Sequence, residues 1–144
     1  MLDVKFLAAG SNADEAMSFI CKLSFNLINE SKGKQKIDIR CQNIDEAIKL
    51  DSELWINPKD SFMPHNLSNN RSEEDIIEIG YPGTKFSKNN NKILINFNPS
   101  LPNQLTNYSD YLQIVVEDNS VYRGEVAKTW KECKTMSLDP KFIK

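Results

Sequence analysis

Histidine is almost missing from this chain: His65 is the only imidazole in 144 residues. Acid–base and nucleophilic catalysis need a tuned partner beside the reacting group. With Pro64 and Asn66 as its neighbours, and no GxSxG elbow or Ser-x-x-Lys pattern, His65 reads as a structural hydrogen-bonding residue. Cysteine is also scarce. Cys21, Cys41 and Cys133 are odd in number, far apart and without a CxxC pair, which leaves a zinc site short of ligands. Each sits inside a periodic helix or strand pattern, so buried structural thiols in a reducing cytoplasm are expected, with no metal. Glycine is limited to five residues. The first strand-to-helix turn, AAGSNADEAM, has one Gly, neither GxGxxG nor GK[ST], and places Asp14 and Glu15 where a phosphate would need open amides. No nucleotide cofactor is expected there.

Excess positive charge is absent too. Lys and Arg total 18 against 20 Asp and Glu, a net charge of -2, so the average field does not attract a nucleic-acid backbone unless basic residues cluster locally. Long apolar runs are lacking, which excludes a membrane-spanning helix, and Asp3 and Lys5 interrupt the N-terminal apolar run that a secretion signal would need. No repeat, low-complexity tract or composition break divides the chain, so residues 1–144 are expected to form one domain.

What is present is an alternation of strand and helix. LDVKFLA at 2–8 reads as a strand, and Gly10-Ser11-Asn12 as a turn and helix cap. Ala16, Phe19, Ile20, Leu23, Leu27 and Ile28 then mark an amphipathic helix ending near Lys32-Gly33. KIDIRC at 36–41 alternates like a strand, and Asn43 caps a second helix carrying Ala47, Ile48, Leu50 and Leu54. Strands follow at 76–80, 92–97 and 111–117, and a last helix from about Ser120 to Lys134. The pairs Asp14/Glu15, Asp45/Glu46 and Glu73/Glu74 fall at helix starts or in a polar loop, where they complement a dipole or solvate a turn. The pattern predicts a three-layer α/β fold with a largely parallel sheet, Rossmann-like but without a nucleotide-binding loop.

Two stretches stand apart. In LWINPKDSFMPHNL, residues 54–67, Trp55, Phe62, Met63 and Leu67 sit in a segment punctuated by Pro58 and Pro64 with neither helical nor strand periodicity. Such groups either fold back to plug the core or face a partner, because large rings beside rigid prolines give much contact area for little lost entropy. In the last helix and tail, Arg123, Lys128, Lys131, Lys134, Lys141 and Lys144 gather around Trp130 and Tyr122. This ridge is either a solvated face with snorkelling lysines or a site for an acidic peptide whose side chain enters an aromatic notch.

The run LDSELWINPKDSFMPHNL closely resembles the signature of the chi subunit of bacterial DNA polymerase III, with its Leu-Asp-x-x-Leu-Trp, a Pro, and Ser-Phe-x-Pro-His. IEIGYPGT, KILINF after a basic loop, and the aromatic-Lys pair Trp130-Lys131 extend the resemblance over essentially the whole chain. It implies a non-catalytic accessory subunit with a nucleotide-binding-like fold that lacks the nucleotide-binding residues. It also implies pairing with the psi subunit of the clamp loader and a grip on the acidic C-terminal tail of single-stranded-DNA-binding protein, with DNA contacted only indirectly. By carry-over, Trp55, Phe62, Met63, Pro64 and Leu67 form the psi-facing patch, with Phe62 its anchor and a repair helicase as a competing partner. Arg123, Trp130 and Lys131 match the tail site. The basic residue usual three places before the aromatic is Ala127 here, and Lys128 stands as its substitute. The rival readings are an accessory factor of a repair helicase and a small nucleotide-dependent enzyme on the same fold. A thermal-shift screen with ATP, GTP and NAD tests the latter.

Overall fold

A computed structural model of the chain describes residues 2–59, 61–70, 75–118 and 120–144. The elements run β1 (Asp3–Ala8), α1 (Ala13–Ser31), β2 (Ile37–Arg40), α2 (Ile44–Ile56), β3 (His65–Leu67), a short 3-10 turn (Ser68–Asn70), β4 (Ile77–Gly80), β5 (Lys92–Asn96), β6 (Tyr108–Val115), α3 (Ser120–Thr135) and β7 (Lys141–Ile143). Seven strands make one sheet in the order β3-β4-β2-β5-β6-β1-β7, and every pairing is parallel. The α/β architecture anticipated from periodicity is present, with two short edge strands that the periodicity does not announce. Glu73 and Glu74 lie outside the described residues.

Handedness decides which helix covers which face. Parallel crossovers are right-handed almost without exception. The connections β1-α1-β2 and β2-α2-β3 progress one way along the sheet, and β6-α3-β7 progresses the other way. Accordingly α1 and α2 share one face and α3 lies on the opposite one.

The sequence of the strands suits this division. Ile37, Ile39, Ile77, Ile79, Ile93 and Ile95 stand in register on the first face and are all buried. Residues alternate along a strand, so the second face receives Asp38, Arg40, Glu78, Leu94 and Asn96, continued by Tyr111 and Gln113 on β6 and Phe6 on β1. The polar groups there are satisfied within the protein. Lys92 Nζ lies 2.6 Å from Asp38, the Tyr108 hydroxyl donates to the same carboxylate at 2.7 Å, and Asn96 donates to Gln113 at 2.8 Å. Burial pushes the Asp38 carboxyl up to about 6, outweighing the opposite pull of Lys92 and Tyr108.

The helix starts are closed by their own side chains. Asn12 Oδ1 accepts the Glu15 N–H at 2.9 Å and Glu15 Oε1 accepts the Ser11 N–H at 2.9 Å; Asn43 and Glu46 repeat the arrangement at α2. Gly10, at φ 115, has Glu15 packed so closely that an added Cβ would meet it at 2.7 Å. The Ser11 and Glu15 amides of this turn are thus engaged by the chain's own side chains. The three cysteines are buried, and burial pushes the Cys21 and Cys133 thiols up to about 12 and about 11. They remain protonated and fill space, which is not the state of a nucleophile.

Candidate functional site

The segment 54–67 is three structures in one. Trp55 belongs to the last turn of α2, Phe62 to the connection that follows, and His65 opens β3. Trp55 is 56% exposed and Phe62 73% exposed, with ring centroids 6.3 Å apart. Core plugging is thus excluded for both rings. The indole also lies 4.5 Å from the His65 imidazole.

His65 fixes this arrangement from beneath. Its Nδ1 is 2.6 Å from the Met63 carbonyl, and its Nε2 is 3.0 Å from the Asp51 carbonyl and 3.4 Å from the Asp51 carboxylate. Every group facing the ring is an acceptor, so the neutral imidazole can donate to one side only and the imidazolium to both. In either state the ring ties α2 to the chain entering β3 and supports the indole. The structural reading of His65 is the one its contacts support.

Met63 corrects the patch inferred from resemblance. It is 1% exposed and belongs to the core, because the extended chain entering β3 turns consecutive side chains to opposite sides, Phe62 outward and Met63 inward. Pro64 is half-buried, and its carbonyl accepts from the Ile76 and Ile77 N–H groups, anchoring the segment to β4. Leu67 is half-buried against the core. The open part of the patch is therefore Trp55 and Phe62. Ile44, Ile48 and Ile56 on α2 are also exposed and extend it. Sequence reasoning assigned Ile48 to the packed face and passed over the other two. A signal was available: Ala47, Leu50 and Leu54 already supply the buried stripe, so Ile44, Ile48 and Trp55 make the helix apolar over a wider arc than one sheet face covers.

At the opposite edge of the sheet lies a cleft of about 700 Å³ between α3, β1 and β7. Trp130 forms one wall, half-buried, its ring meeting the Phe6 ring edge-on at 5.0 Å, while Lys134 Nζ stands 5.4 Å from the indole. Arg123, Ala127 and Lys131 line the cleft from the same side of α3. Lys128 is exposed but is not among the lining residues, since one step along a helix turns the side chain by about 100°. The substitution of Lys128 for the cation missing at Ala127 is therefore not supported by the geometry. Tyr122, grouped with the basic ridge by sequence, is buried and donates to the Phe97 and Ile114 carbonyls.

One contributor, Phe142, was missed, and Lys144 of the basic ridge joins it. Phe142 and Lys144 reach the cleft from the segment of β7, which pairs with β1 through Lys5↔Lys141 and Leu7↔Ile143. A three-residue edge strand carries no legible alternation. Glu117 and Asp118 stand at the rim, so the cations Arg123, Lys131 and Lys144 face two carboxylates. The excess of positive charge is modest. An acidic ligand would depend on the aromatic wall as much as on ion pairing.

The chain matches the family described as DNA polymerase III chi subunit, HolC, over residues 1–141. It belongs to the DNA polymerase III chi subunit family. A curated relative, DNA polymerase III subunit chi of Escherichia coli K12, is 27% identical over 122 residues, covering 84% of this chain and 79% of that protein. The corresponding subunit of Haemophilus influenzae is 26% identical over 102 residues, covering 70% and 68%. Membership makes the chain an accessory subunit of the replicative DNA polymerase. Among the described residues no helix is long and apolar enough to cross a membrane.

Proposed function

We propose that this chi-family chain is a two-sided adaptor, holding the psi subunit of the clamp loader at the β3 edge and the acidic C-terminal tail of single-stranded-DNA-binding protein in the Trp130 cleft. The observation that carries the reading is the placement of two aromatic sites at opposite edges of one sheet. The β3 edge offers Trp55 and Phe62 in the open, flanked by Ile44, Ile48 and Ile56, a composition suited to a protein hot spot. The β7 edge offers a slot beside Trp130 with Arg123, Lys131 and Lys144 around it, suited to a terminal carboxylate and a buried aromatic side chain.

Because the sheet separates the sites, occupancy of one leaves the other accessible. The test is to mix the chain with psi, isolate the complex by size-exclusion chromatography, and titrate it with a peptide ending in the acidic tail sequence. A ternary complex with peptide affinity unchanged by psi is expected. Displacement of psi by peptide, or failure of both to bind, would refute the adaptor reading.

A further inference from the structure

The half of the polar sheet face that α3 does not reach has its own cleft, of about 670 Å³. The cause is topological. The β4 to β5 crossover passes over this face, where a βαβ unit would ordinarily lay a helix, but residues 81–91 form a loop instead. The loop is built firmly. Thr84 Oγ1 accepts the Tyr81 N–H and donates to the Tyr81 carbonyl; Phe86 packs over Gly80, where a Cβ would meet its ring at 2.6 Å; and Ser87 donates through both N–H and hydroxyl to Glu78. The opposite wall, residues 102–107, is held near Arg40, whose guanidinium donates to the Ser100 carbonyl at 2.7 Å and to the Ser100 hydroxyl at 3.1 Å.

The lining is unusual for a protein of net charge -2. Arg40, Lys85, Lys88 and Lys92 all contribute, and among the described residues lining the cleft there is no carboxylate. Asp38 and Glu78 lie in the sheet beneath, each already engaged, Asp38 by Lys92 and Tyr108, Glu78 by Ser87. Lys92 is buried in its pair with Asp38, so among the described residues Arg40, Lys85 and Lys88 are the cations that line the cleft wall. Between the cations lie carboxamides, Asn90, Asn103, Gln104 and Asn107, each able to donate and accept together. A nucleobase edge presents the complementary pairing. The volume is in the range of a small-ligand site. An acidic peptide would want an open path and an apolar notch, which the Trp130 cleft has.

We propose that this cleft binds the phosphate of a nucleotide, with Arg40, Lys85 and Lys88 taking the phosphate oxygens and the carboxamides meeting the base. The same chemistry comes from a free nucleotide or from one residue of single-stranded DNA. It departs from the expectation of purely indirect DNA contact, because the average charge that argued against a backbone says nothing of a local cluster. The site does not depend on the adaptor reading, since it shares no residue with either aromatic surface.

The experiment is a fluorescence-anisotropy titration of the full chain with a labelled oligothymidylate of about six nucleotides, within the usual site size for single strands. Unlabelled dTMP, inorganic phosphate and a polyglutamate peptide serve as competitors. Saturable binding that weakens with salt is expected, falling about ten-fold or more in Lys88→Glu and further in Lys85→Glu/Lys88→Glu, with melting temperatures unchanged. Lys131→Glu should leave it intact. Competition by dTMP identifies a free nucleotide as sufficient, and its failure identifies the strand as the source; both support the site. No saturable binding at low salt, indifference to both lysine variants, loss in Lys131→Glu, or competition by polyglutamate equal to that by dTMP would overturn it.

Discussion

At the β3 edge two aromatic rings stand in the open, the indole leaning on an imidazole; at the β7 edge a single indole is half covered and hemmed by cations and two carboxylates. Both surfaces combine a helix with the chain at a short edge strand, with a Trp as the shared element. The difference lies in the setting. Where exposed aromatic rings are accompanied by exposed isoleucines, they can serve a broad contact whose strength comes from excluding water. Where charges ring the indole, the ligand must bring charge of its own, and ionic strength enters the affinity.

The sharpest way to break this contrast is Phe62→Ala. Psi binding should weaken by about 2 kcal/mol or more, as at a hot-spot aromatic, while the melting temperature and tail-peptide affinity stay unchanged because the ring is exposed. Calorimetric titration reads the two affinities and thermal denaturation the melting temperature, and equal losses at both surfaces would show that the edges are not independent.

Next in size is His65→Ala. Removing the ring leaves the Met63 and Asp51 carbonyls without their partner and the indole without support, at a cost of about 1–3 kcal/mol in stability. Thermal denaturation should record the loss, and psi affinity should fall with it. A variant with wild-type melting would show that the segment holds its shape without the imidazole. The smallest effect belongs to Lys131→Ala. Tail-peptide binding should weaken by about 1 kcal/mol, the scale of a partly desolvated charge contact. The wild-type peptide titration should also weaken as salt rises while the psi titration stays nearly level. A flat peptide titration would move the peptide's affinity onto Trp130 and Phe142 alone.

The sequence makes the long elements legible because α1 and α2 carry enough periodic positions to declare themselves. The edge strands β3 and β7 are three residues each and acquire strand geometry only by pairing with β4 and β1, a tertiary cause that local pattern does not contain. The sites divide in the same way. Trp55 and Phe62 are identifiable as unusual from their neighbours, yet composition alone leaves open whether they turn inward or outward. Met63 shows that adjacent residues can take opposite answers. Lys128 fails for a purely angular reason, whereas Ile44 and Ile48 were readable as surplus apolar surface once the buried stripe of α2 had been counted.

Placement of the last strand has a practical corollary. Phe142 and Lys144 help wall the slot beside Trp130, so an affinity tag fused after Lys144 would hang across its mouth. Peptide titrations done with such a fusion would understate affinity and could mask the effect of Lys131→Ala. Material carrying its handle at the amino end, or cleaved clean, is the proper reagent.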